Sequence, residues 1–516
     1  MQDHENVQLA CSAASEAFGS GLPPARRAAM LDAVARALDG RREAILAVAS
    51  DETALTVDEL TPEFARMTGT LRMFADLVRE GSWVRAAIDT RSSQWTGAEA
   101  GEKHRPPLIG PDHDVRSMLV PLGPVAVFGS SNFPLAYGVC GGDTASAWAA
   151  GCPVVVKEHP AHPKTGRLLA EIACDAIKAI GVTAQFLGYI RNENPRDYSI
   201  AEELLRDSSI AAAGFTGSTL GGSALETLAR ERRRPIPVFA EMGSLNCVFV
   251  WPGAFRARGE QIADELAASV LTRVGQQCTK PGVVFVAGNN EHSALHRAIC
   301  RRLQSATSRR MLARGVADNY YRRLDIVASS RGVLETTPLP TPEDRRDMLG
   351  VPVGIAANDM AMEDAPEMWE EIFGPAIIVA RTFGSAWFNM PGALTATIYA
   401  EPEDIDGSFQ HSDGGHWGDF EEWFASVLRR AGRVILNGVP TGVRVATGMV
   451  HGGPFPATNA PHTTAVGPRA IERWCRPVCY QNCPDVLLPA ELRGGNPLGI
   501  LRCVDGAPTR VALAAH

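Results

Sequence analysis

Three residues of this chain have side chains of the types that carry out covalent catalysis. Cys278 lies in residues 275–279, Gly-Gln-Gln-Cys-Thr, and a cysteine is a nucleophile when its thiol is ionised. Glu241 ends an apolar run, and a carboxylate with a raised pKa can act as a general base. Asn132 follows another apolar run, and its amide can donate a hydrogen bond to an oxyanion. A lone cysteine is usually a small buried hydrophobic residue, so the surrounding pattern decides.

Short apolar runs alternate with helical stretches around these residues. Strands are predicted at residues 125–128, 154–157, 210–215 and 238–241. A helical stretch is predicted after Gly129 as far as Ala150, and a helix is predicted around residues 168–180. This alternation predicts parallel βαβ units and a Rossmann-like nucleotide domain, in which ligands bind at the carboxyl ends of the strands. Four residues lie at or just after such ends: Asn132, Lys157, Gly217 and Glu241.

A glycine-rich turn follows the third of these strands. Residues 217–222, Gly-Ser-Thr-Leu-Gly-Gly, precede a helix predicted through residues 224–229, and no Gly-x-Gly-x-x-Gly follows the first strand. Glycines let a phosphate approach the backbone closely, and a helix N-terminus favours an anion. The turn therefore predicts a phosphate-binding site.

The N-terminal part is predicted to be helical. Leu31, Val34 and Leu38 recur at helical spacing within residues 23–51. A second helix is predicted to place Pro62 in its first turn.

The remaining segments predict an arm and a second α/β region. Residues 94–117 are polar and rich in glycine and proline, which is typical of a connecting arm or an exposed hairpin. The second region runs from Glu241 to about Arg433, and residues 434–438 predict one more strand with a turn.

Six segments in one order resemble motifs of the aldehyde dehydrogenase superfamily. Each is weak by itself, but six in the same order are very unlikely to arise by chance. They are Ser-Asn-Phe-Pro-Leu at 131–135, Val-Lys at 156–157, Phe-Thr-Gly-Ser at 215–218, Glu-Met-Gly-Ser at 241–244, Gly-Gln-Gln-Cys-Thr at 275–279 and Glu-Ile-Phe-Gly-Pro at 371–375.

The resemblance implies NAD(P)-dependent oxidation of an aldehyde to a carboxylic acid. Cys278, at least partly ionised, would form a thiohemiacetal, with its oxyanion held by the Asn132 amide and the Cys278 backbone N–H. Hydride transfer would leave a thioester, and Glu241 would activate the water that hydrolyses it. The implied cofactor-binding residues are Lys157 at the adenosine ribose, Gly217 and Ser218 at the pyrophosphate, Glu371 at the nicotinamide ribose and Phe373 at the nicotinamide.

Further segments are similar to one subgroup, the 2,5-dioxovalerate (α-ketoglutarate semialdehyde) dehydrogenases. The implied substrate is a small semialdehyde with a carboxylate, 2,5-dioxopentanoate, which would be oxidised to 2-oxoglutarate. Bacterial NADP-linked fatty aldehyde dehydrogenases share parts of the pattern, so a fatty or other aldehyde stays an alternative. The similar segments are residues 141–146, 157–163, 394–398, 450–458, 476–482 and 496–500.

Three residues depart from the pattern of this subgroup. Gln277 stands where phenylalanine often precedes the nucleophile, at a position expected to face the aldehyde. Arg273 stands where a small residue is usual, and it would pair either with a substrate carboxylate or in a structural ion pair. Ser223 replaces the arginine that many NADP-using relatives carry, so NADP and NAD both remain candidate cofactors.

Composition excludes several other classes of protein. The 516 residues predict two or three domains, and a net charge of −8 argues against nucleic-acid binding. No signal peptide or membrane span is predicted, and eleven scattered cysteines indicate reduced thiols of a cytoplasmic protein. Cys475, Cys479 and Cys483 lie four apart, but Pro477 interrupts any shared helix, so no metal site is predicted.

The predicted architecture is an α/β aldehyde dehydrogenase-like fold in three parts. A Rossmann-like cofactor domain comprises residues 1–100 and 121–241, and a catalytic α/β domain comprises residues 242–474. Residues 101–120 and 475–516 form an oligomerisation arm, and the protein is expected to be a homodimer or a homotetramer.

Alternatives stay open for single residues and for the function. Glu241 could be a carboxylate at a helix N-terminus, Asn132 a helix cap, and Lys157 an ordinary exposed strand end. Cys278 could also serve a cofactor-independent cysteine hydrolase, or the chain could be a non-catalytic member that keeps only the fold. An acyl-CoA-forming variant is disfavoured, because such relatives generally lack the base that Glu241 represents.

Overall fold

The computed structural model of the protein describes residues 2–90, 113–192, 194, 198–381, 389–407 and 420–513. Its helices are α1 (Gln2–Ser20), α2 (Pro24–Asp39), α3 (Arg42–Thr53), α4 (Val57–Glu80), α5 (Gly142–Ala150), α6 (Pro163–Ala179), α7 (Ser199–Arg206), α8 (Thr219–Arg230), α9 (Pro252–Leu271), α10 (Asn289–Ser305), α11 (Arg314–Ala328), α12 (Pro342–Arg346), α13 (Asp359–Asp364), α14 (Pro402–Ile405) and α15 (Phe420–Leu428). Its strands are β1 (Ala87–Asp89), β2 (Val115–Pro121), β3 (Val125–Phe128), β4 (Val154–Lys157), β5 (Leu187–Ile190), β6 (Ala212–Thr216), β7 (Val238–Glu241), β8 (Val248–Val250), β9 (Val283–Val286), β10 (Arg309–Arg310), β11 (Val333–Thr336), β12 (Leu349–Gly350), β13 (Val353–Ala357), β14 (Ala376–Arg381), β15 (Ala393–Tyr399), β16 (Ala431–Leu436), β17 (Cys475–Gln481), β18 (Arg502–Val504) and β19 (Ala507–Thr509).

The first sheet has five parallel strands in the order β5-β4-β3-β6-β7. Apolar side chains pack against both faces of this sheet, which explains why its strands read as short continuous apolar runs. Phe128 pairs with Lys157 and Phe215, and Thr216 pairs with Glu241, so the carboxyl ends lie side by side. The edge strand β5 was not predicted from the sequence.

Two predicted helices in the N-terminal part have different bounds in the structure. The helical stretch at residues 23–51 is two helices, which break at Gly40 and Arg41. Helix α4 begins at Val57, because the Thr56 hydroxyl and the Glu59 carboxylate form a capping box there, so Pro62 lies inside the helix.

The predicted helix that ends at Ala150 is much shorter than expected. Helix α5 begins only at Gly142, and the segment between β3 and α5 is irregular. Gly138 and Gly141 there approach backbone so closely that an added Cβ would lie 2.0 Å and 2.5 Å from carbonyl oxygens.

The second sheet has seven strands in the order β11-β13-β14-β9-β8-β15-β16, parallel except for β11. Large apolar clusters cover both faces. The loop that carries Cys278 leads from α9 into the central strand β9. The strand predicted at residues 434–438 is observed as β16, which begins three residues earlier.

The third sheet joins distant parts of the chain in the order β17-β2-β1-β18-β19. Strands from the two segments that were predicted to form the arm pair directly, since β2 is antiparallel to β17. Residues 94–112 of the predicted arm lie outside the described residues. An oligomerising role of this sheet stays a prediction.

Candidate active site

Cys278 lies in a tight loop between α9 and β9. Arg273 and Val274 have φ angles of 52° and 58°, a left-handed conformation that is rare for residues with a side chain. The side-chain amide of Asn246 donates to the carbonyl oxygens of Cys278 and Lys280 at 2.7 Å and 2.9 Å. The strained turn and this anchor hold the thiol at a defined place.

Asn132 links the segment after β3 to the loop of Cys278. Its buried side-chain amide donates to the carbonyl oxygen of Gln276 at 2.9 Å. The amide has a second N–H, so one donor can hold the loop while the other serves a ligand. Asn132 is not a helix cap, because the cap position of α5 is Gly141.

A buried ion pair also connects the Cys278 loop with the segment that carries Asn132. Arg273 Nη2 donates to the Glu63 carboxylate at 2.6 Å and to the Asn132 carbonyl oxygen at 2.9 Å, and both charged residues are at least 94% buried. The other Glu63 carboxylate oxygen accepts the backbone N–H groups of Leu135 and Ala136 at 2.7 Å and 3.0 Å. Of the two partners predicted for Arg273, the structure shows the structural ion pair.

Arg273→Met is expected to lower the free energy of unfolding by about 3–5 kcal/mol, because Glu63 then stays buried without its cation. Urea denaturation followed by tryptophan fluorescence measures the change. The double variant Arg273→Met/Glu63→Gln removes both charges and is expected to recover part of the loss. A change below about 1 kcal/mol in the single variant would contradict a structural role for the pair.

Glu241 ends β7 on the edge that carries Lys157 and Gly217. It is 6% exposed, one of its carboxylate oxygens has no hydrogen-bond partner among the described residues, and burial raises its pKa to about 8. The backbone continues as extended chain rather than as a helix, so the alternative of a helix N-terminal carboxylate is wrong. Such a carboxyl group changes its protonation state near neutral pH.

His451 contacts the thiol, and no sequence pattern had assigned it a role. Its Nε2 lies 3.8 Å from Cys278 Sγ. Burial and the nearby Arg66, Arg433 and Arg473 lower its pKa to about 3, so the imidazole is neutral at pH 7. The only signal was its place in the similar segment at residues 450–458.

The Cys278 thiol is protonated in the free protein. Burial, followed by the carboxyl groups of Glu371 and Glu241, raises its pKa to about 12. This differs from the expectation of a partly ionised thiol, because the sequence does not show that the sulfur is buried near two carboxyl groups. Attack by this thiol therefore requires a proton acceptor.

The predicted phosphate-binding turn lies close to the Glu371 segment, beside the first sheet. Ser218 caps α8, with its hydroxyl accepting the Gly221 N–H at 3.1 Å. A Cβ on Gly217 would lie 2.5 Å from the Phe215 ring, so any larger residue there requires that ring to move. A Cβ on Gly243 would lie 2.8 Å from a Glu371 carboxylate oxygen and 3.4 Å from the Thr219 hydroxyl, which places Glu371 close to the start of α8.

These residues fit a dinucleotide. One carboxylate oxygen of Glu371 is buried without a hydrogen-bond partner among the described residues, and burial raises its pKa while Lys280 lowers it. Gly275 packs so tightly on Gly374 that a Cβ would lie 2.3 Å from its carbonyl carbon, which brings the half-buried Phe373 segment to the Cys278 loop. Lys157, also half-buried, donates to the Glu158 carbonyl oxygen at 3.1 Å at the end of β4. An unsatisfied acceptor, a helix N-terminus and a cation thus line one edge.

The structure also shows the surroundings of Gln277 and Ser223, the other two residues that depart from the subgroup pattern. Gln277 is buried, and its side-chain nitrogen has no hydrogen-bond partner in the described part of the chain. Ser223 is the fifth residue of α8 and is half-buried.

Comparison with known proteins decides the family. The model of the aldehyde dehydrogenase family matches residues 1–314, which is more than half of the chain. The chain belongs to the aldehyde dehydrogenase family. The predicted family and fold class are confirmed, and the protein is an NAD(P)-dependent aldehyde dehydrogenase. The individual roles assigned to site residues stay predictions.

Two relatives resemble this aldehyde dehydrogenase over nearly its whole length. The α-ketoglutaric semialdehyde dehydrogenase 2 of Azospirillum brasilense is 38% identical, over 97% of this chain and 91% of its own. The α-ketoglutaric semialdehyde dehydrogenase of Acinetobacter baylyi is 38% identical, over 98% of this chain and 92% of its own. The solved succinic semialdehyde dehydrogenase of Streptococcus pyogenes, in complex with NADP+, shares the fold with a TM-score of 0.71 and 15% identity, over 91% of this chain and 93% of its own.

No helix among the described residues is long and apolar enough to cross a membrane. No three of their His, Cys, Asp or Glu side chains come together as ligands for a metal ion. Cys475 and Cys479 lie on β17 rather than on a helix.

Proposed function

We propose that this aldehyde dehydrogenase oxidises 2,5-dioxopentanoate to 2-oxoglutarate, with Cys278 as nucleophile, Asn132 as oxyanion donor and Glu241 as general base. The two relatives named for α-ketoglutaric semialdehyde support the substrate. One arrangement supports the residue assignments. The Asn132 amide binds the loop that carries Cys278, and Glu241 interacts electrostatically with the Cys278 thiol.

In the first half of the reaction Cys278 attacks the aldehyde carbon while His451 takes the thiol proton. A thiol pKa of about 12 and an imidazole pKa of about 3 keep the proton on sulfur until the new C–S bond forms. The resulting oxyanion is stabilised by the Cys278 N–H and the second N–H of Asn132. When bound, NAD(P)+ supplies the hydride acceptor.

In the second half Glu241 removes a proton from the water that hydrolyses the Cys278 thioester. Its buried position raises its pKa to about 8, which suits a base that acts near neutral pH. As the thioester bond breaks, the proton taken by Glu241 passes to the sulfur, so the carboxylic acid leaves and the thiol is regenerated. The proton taken by His451 is released to solvent.

His451→Asn is expected to slow acylation by about 10²- to 10⁴-fold, the usual contribution of a group that moves a proton. Stopped-flow absorbance of the reduced cofactor during the first turnover measures this step. Gln185→Asn is the matched control, because this residue lies on the surface near α1 and not near Cys278. Normal first-turnover kinetics in the His451 variant would contradict its role as proton acceptor.

For the cofactor we propose that the protein accepts both NADP and NAD through Lys157, Gly217, Ser218, Glu371 and Phe373. Lys157 gives one positive charge near the expected ribose, and Ser223 adds no second cation for a 2′-phosphate. The binding affinities of the two nucleotides, measured by isothermal titration calorimetry, are therefore expected to differ by less than about 10-fold.

A panel of aldehydes tests the proposed function. Absorbance of the reduced cofactor is followed with 2,5-dioxopentanoate, succinic semialdehyde, butanal and decanal, each with NADP and with NAD. The highest kcat/KM is expected for 2,5-dioxopentanoate. A preference for decanal would instead support a fatty aldehyde dehydrogenase.

We further propose that the third sheet joins subunits into a homodimer or homotetramer in the cytoplasm. All eleven cysteines are free thiols, which suits a reducing compartment. Light scattering coupled to size-exclusion chromatography gives the mass of the assembly.

A further inference from the structure

Two arginines near Cys278 lack a carboxylate partner in the described part of the chain. Arg66 lies on α4 and Arg433 on β16, and both are half-buried. Among the described residues, both arginines donate hydrogen bonds only to uncharged groups, which are backbone carbonyl oxygens and the Tyr137 hydroxyl. A cation that is partly removed from water without an anion is unfavourable, so such a pair indicates an anionic ligand.

The two guanidinium groups converge on one short loop, residues 440–443. Arg66 Nη1 donates to the Val443 carbonyl oxygen at 3.3 Å, and Arg433 Nη1 donates to the neighbouring Gly442 carbonyl oxygen at 3.2 Å. Arg433 Nη2 also donates to the Pro440 carbonyl oxygen. A guanidinium has five N–H donors, so each arginine keeps donors for a ligand.

A chain of contacts connects Arg66 with the nucleophile. Arg66 Nη2 donates to the Tyr137 hydroxyl at 2.9 Å, and its guanidinium carbon lies 5.4 Å from the centre of that ring. The Tyr137 and His451 rings are 6.5 Å apart, and His451 contacts Cys278. Both Arg66 and Arg433 interact electrostatically with the Cys278 thiol.

The other arginines around the site are already neutralised. Arg473 pairs with Asp143 at 2.6 Å, and Arg273 pairs with Glu63 at 2.6 Å. Each of these two arginines therefore already has a carboxylate partner, whereas Arg66 and Arg433 have none among the described residues.

We propose that Arg66 and Arg433 together bind the carboxylate of the aldehyde substrate and so select semialdehydes over neutral aldehydes. This inference rests on the proposed function, because it assigns residues to recognition of the substrate named there. The planar forks of two arginines match the oxygens of one carboxylate.

The wild-type protein allows a first test with two compounds of the same skeleton. The selectivity ratio is kcat/KM for 2,5-dioxopentanoate divided by kcat/KM for its methyl ester, which has no charge. A ratio well above one is expected. A ratio near one in a protein that turns over both compounds overturns the carboxylate site and leaves the aldehyde oxidation intact.

Arginine variants then locate the site. Arg66→Met and Arg433→Met are each expected to lower the selectivity ratio by about 10- to 100-fold, the usual effect of losing a hydrogen bond to a charged group. Arg66→Lys and Arg433→Lys keep the charge and are expected to recover part of the ratio. Arg297→Met removes the same charge from an exposed position of α10 and is expected to leave the ratio unchanged.

The outcomes separate the two claims. If the wild type prefers the acid and the methionine variants lose activity with acid and ester equally, the arginines only support the structure and the inference is overturned. If the methionine variants do not fold, judged by circular dichroism, the lysine variants carry the test. If the wild type oxidises neither compound, the proposed substrate fails together with the inference.

Discussion

Cys278→Ala is expected to lower kcat for aldehyde oxidation by about 10⁴-fold or more, because no other group can form the covalent intermediate. The loss of one sulfur atom leaves the loop anchored, since Asn246 holds the Cys278 carbonyl oxygen and not its side chain. The variant is therefore expected to bind NADP and NAD as the wild type does. Steady-state turnover and nucleotide titration by calorimetry measure the two properties.

Cys300→Ala is the matched control for this variant. The Cys300 thiol lies 3.2 Å from His296 Nε2, so it is also a buried cysteine beside a histidine, but it lies on α10. It is expected to keep turnover within a few-fold of the wild type. Retained oxidation in Cys278→Ala would refute the assigned nucleophile. If only Cys300→Ala lost activity, Cys300 would be the nucleophile instead.

Glu241→Gln is expected to lower kcat by about 10²- to 10⁴-fold, the usual contribution of a general base. The base acts as a carboxylate, so the wild-type rate of thioester hydrolysis is expected to rise as pH increases through about 8. The variant is expected to lose this rise. Profiles of kcat between pH 6 and pH 10 show the difference.

The first turnover distinguishes the base from a structural carboxylate. Because Cys278 and His451 are intact in Glu241→Gln, one equivalent of reduced cofactor is expected to form rapidly before turnover stops at the thioester. Glu343→Gln is the control, since this carboxyl group is exposed on α12. If the rise with pH persists in Glu241→Gln, the assignment of the base is wrong.

The motif segments were predictable because their residues are local in sequence. Apolar runs predicted β3, β4, β6 and β7, and parallel strands place their carboxyl ends on one edge, so Lys157, Gly217 and Glu241 were expected together. The order of six segments then indicated the family, which comparison confirmed. The edge strand β5 is as long as β3 and β4, but it was missed because Gly188 interrupts its apolar run.

Helix starts were less predictable, because they depend on capping and close packing. The pair Thr56 and Glu59 sets the start of α4 earlier than Pro62 indicated. Close backbone contacts at Gly138 and Gly141 delay the start of α5. This leaves Asn132 in an irregular segment, where its amide can reach Gln276.

The sequence by itself determined the residue types of the site, their order and the sheet edge that holds most of them. Only the tertiary structure decided the partners. Glu63 is 210 residues from Arg273, and His451 is 173 residues from Cys278, distances at which no local periodicity carries information. Charged groups in a folded interior pair according to burial and proximity, and these depend on the path of the whole chain. That path neutralises Arg273, places a neutral imidazole beside the thiol and leaves Arg66 and Arg433 available near it.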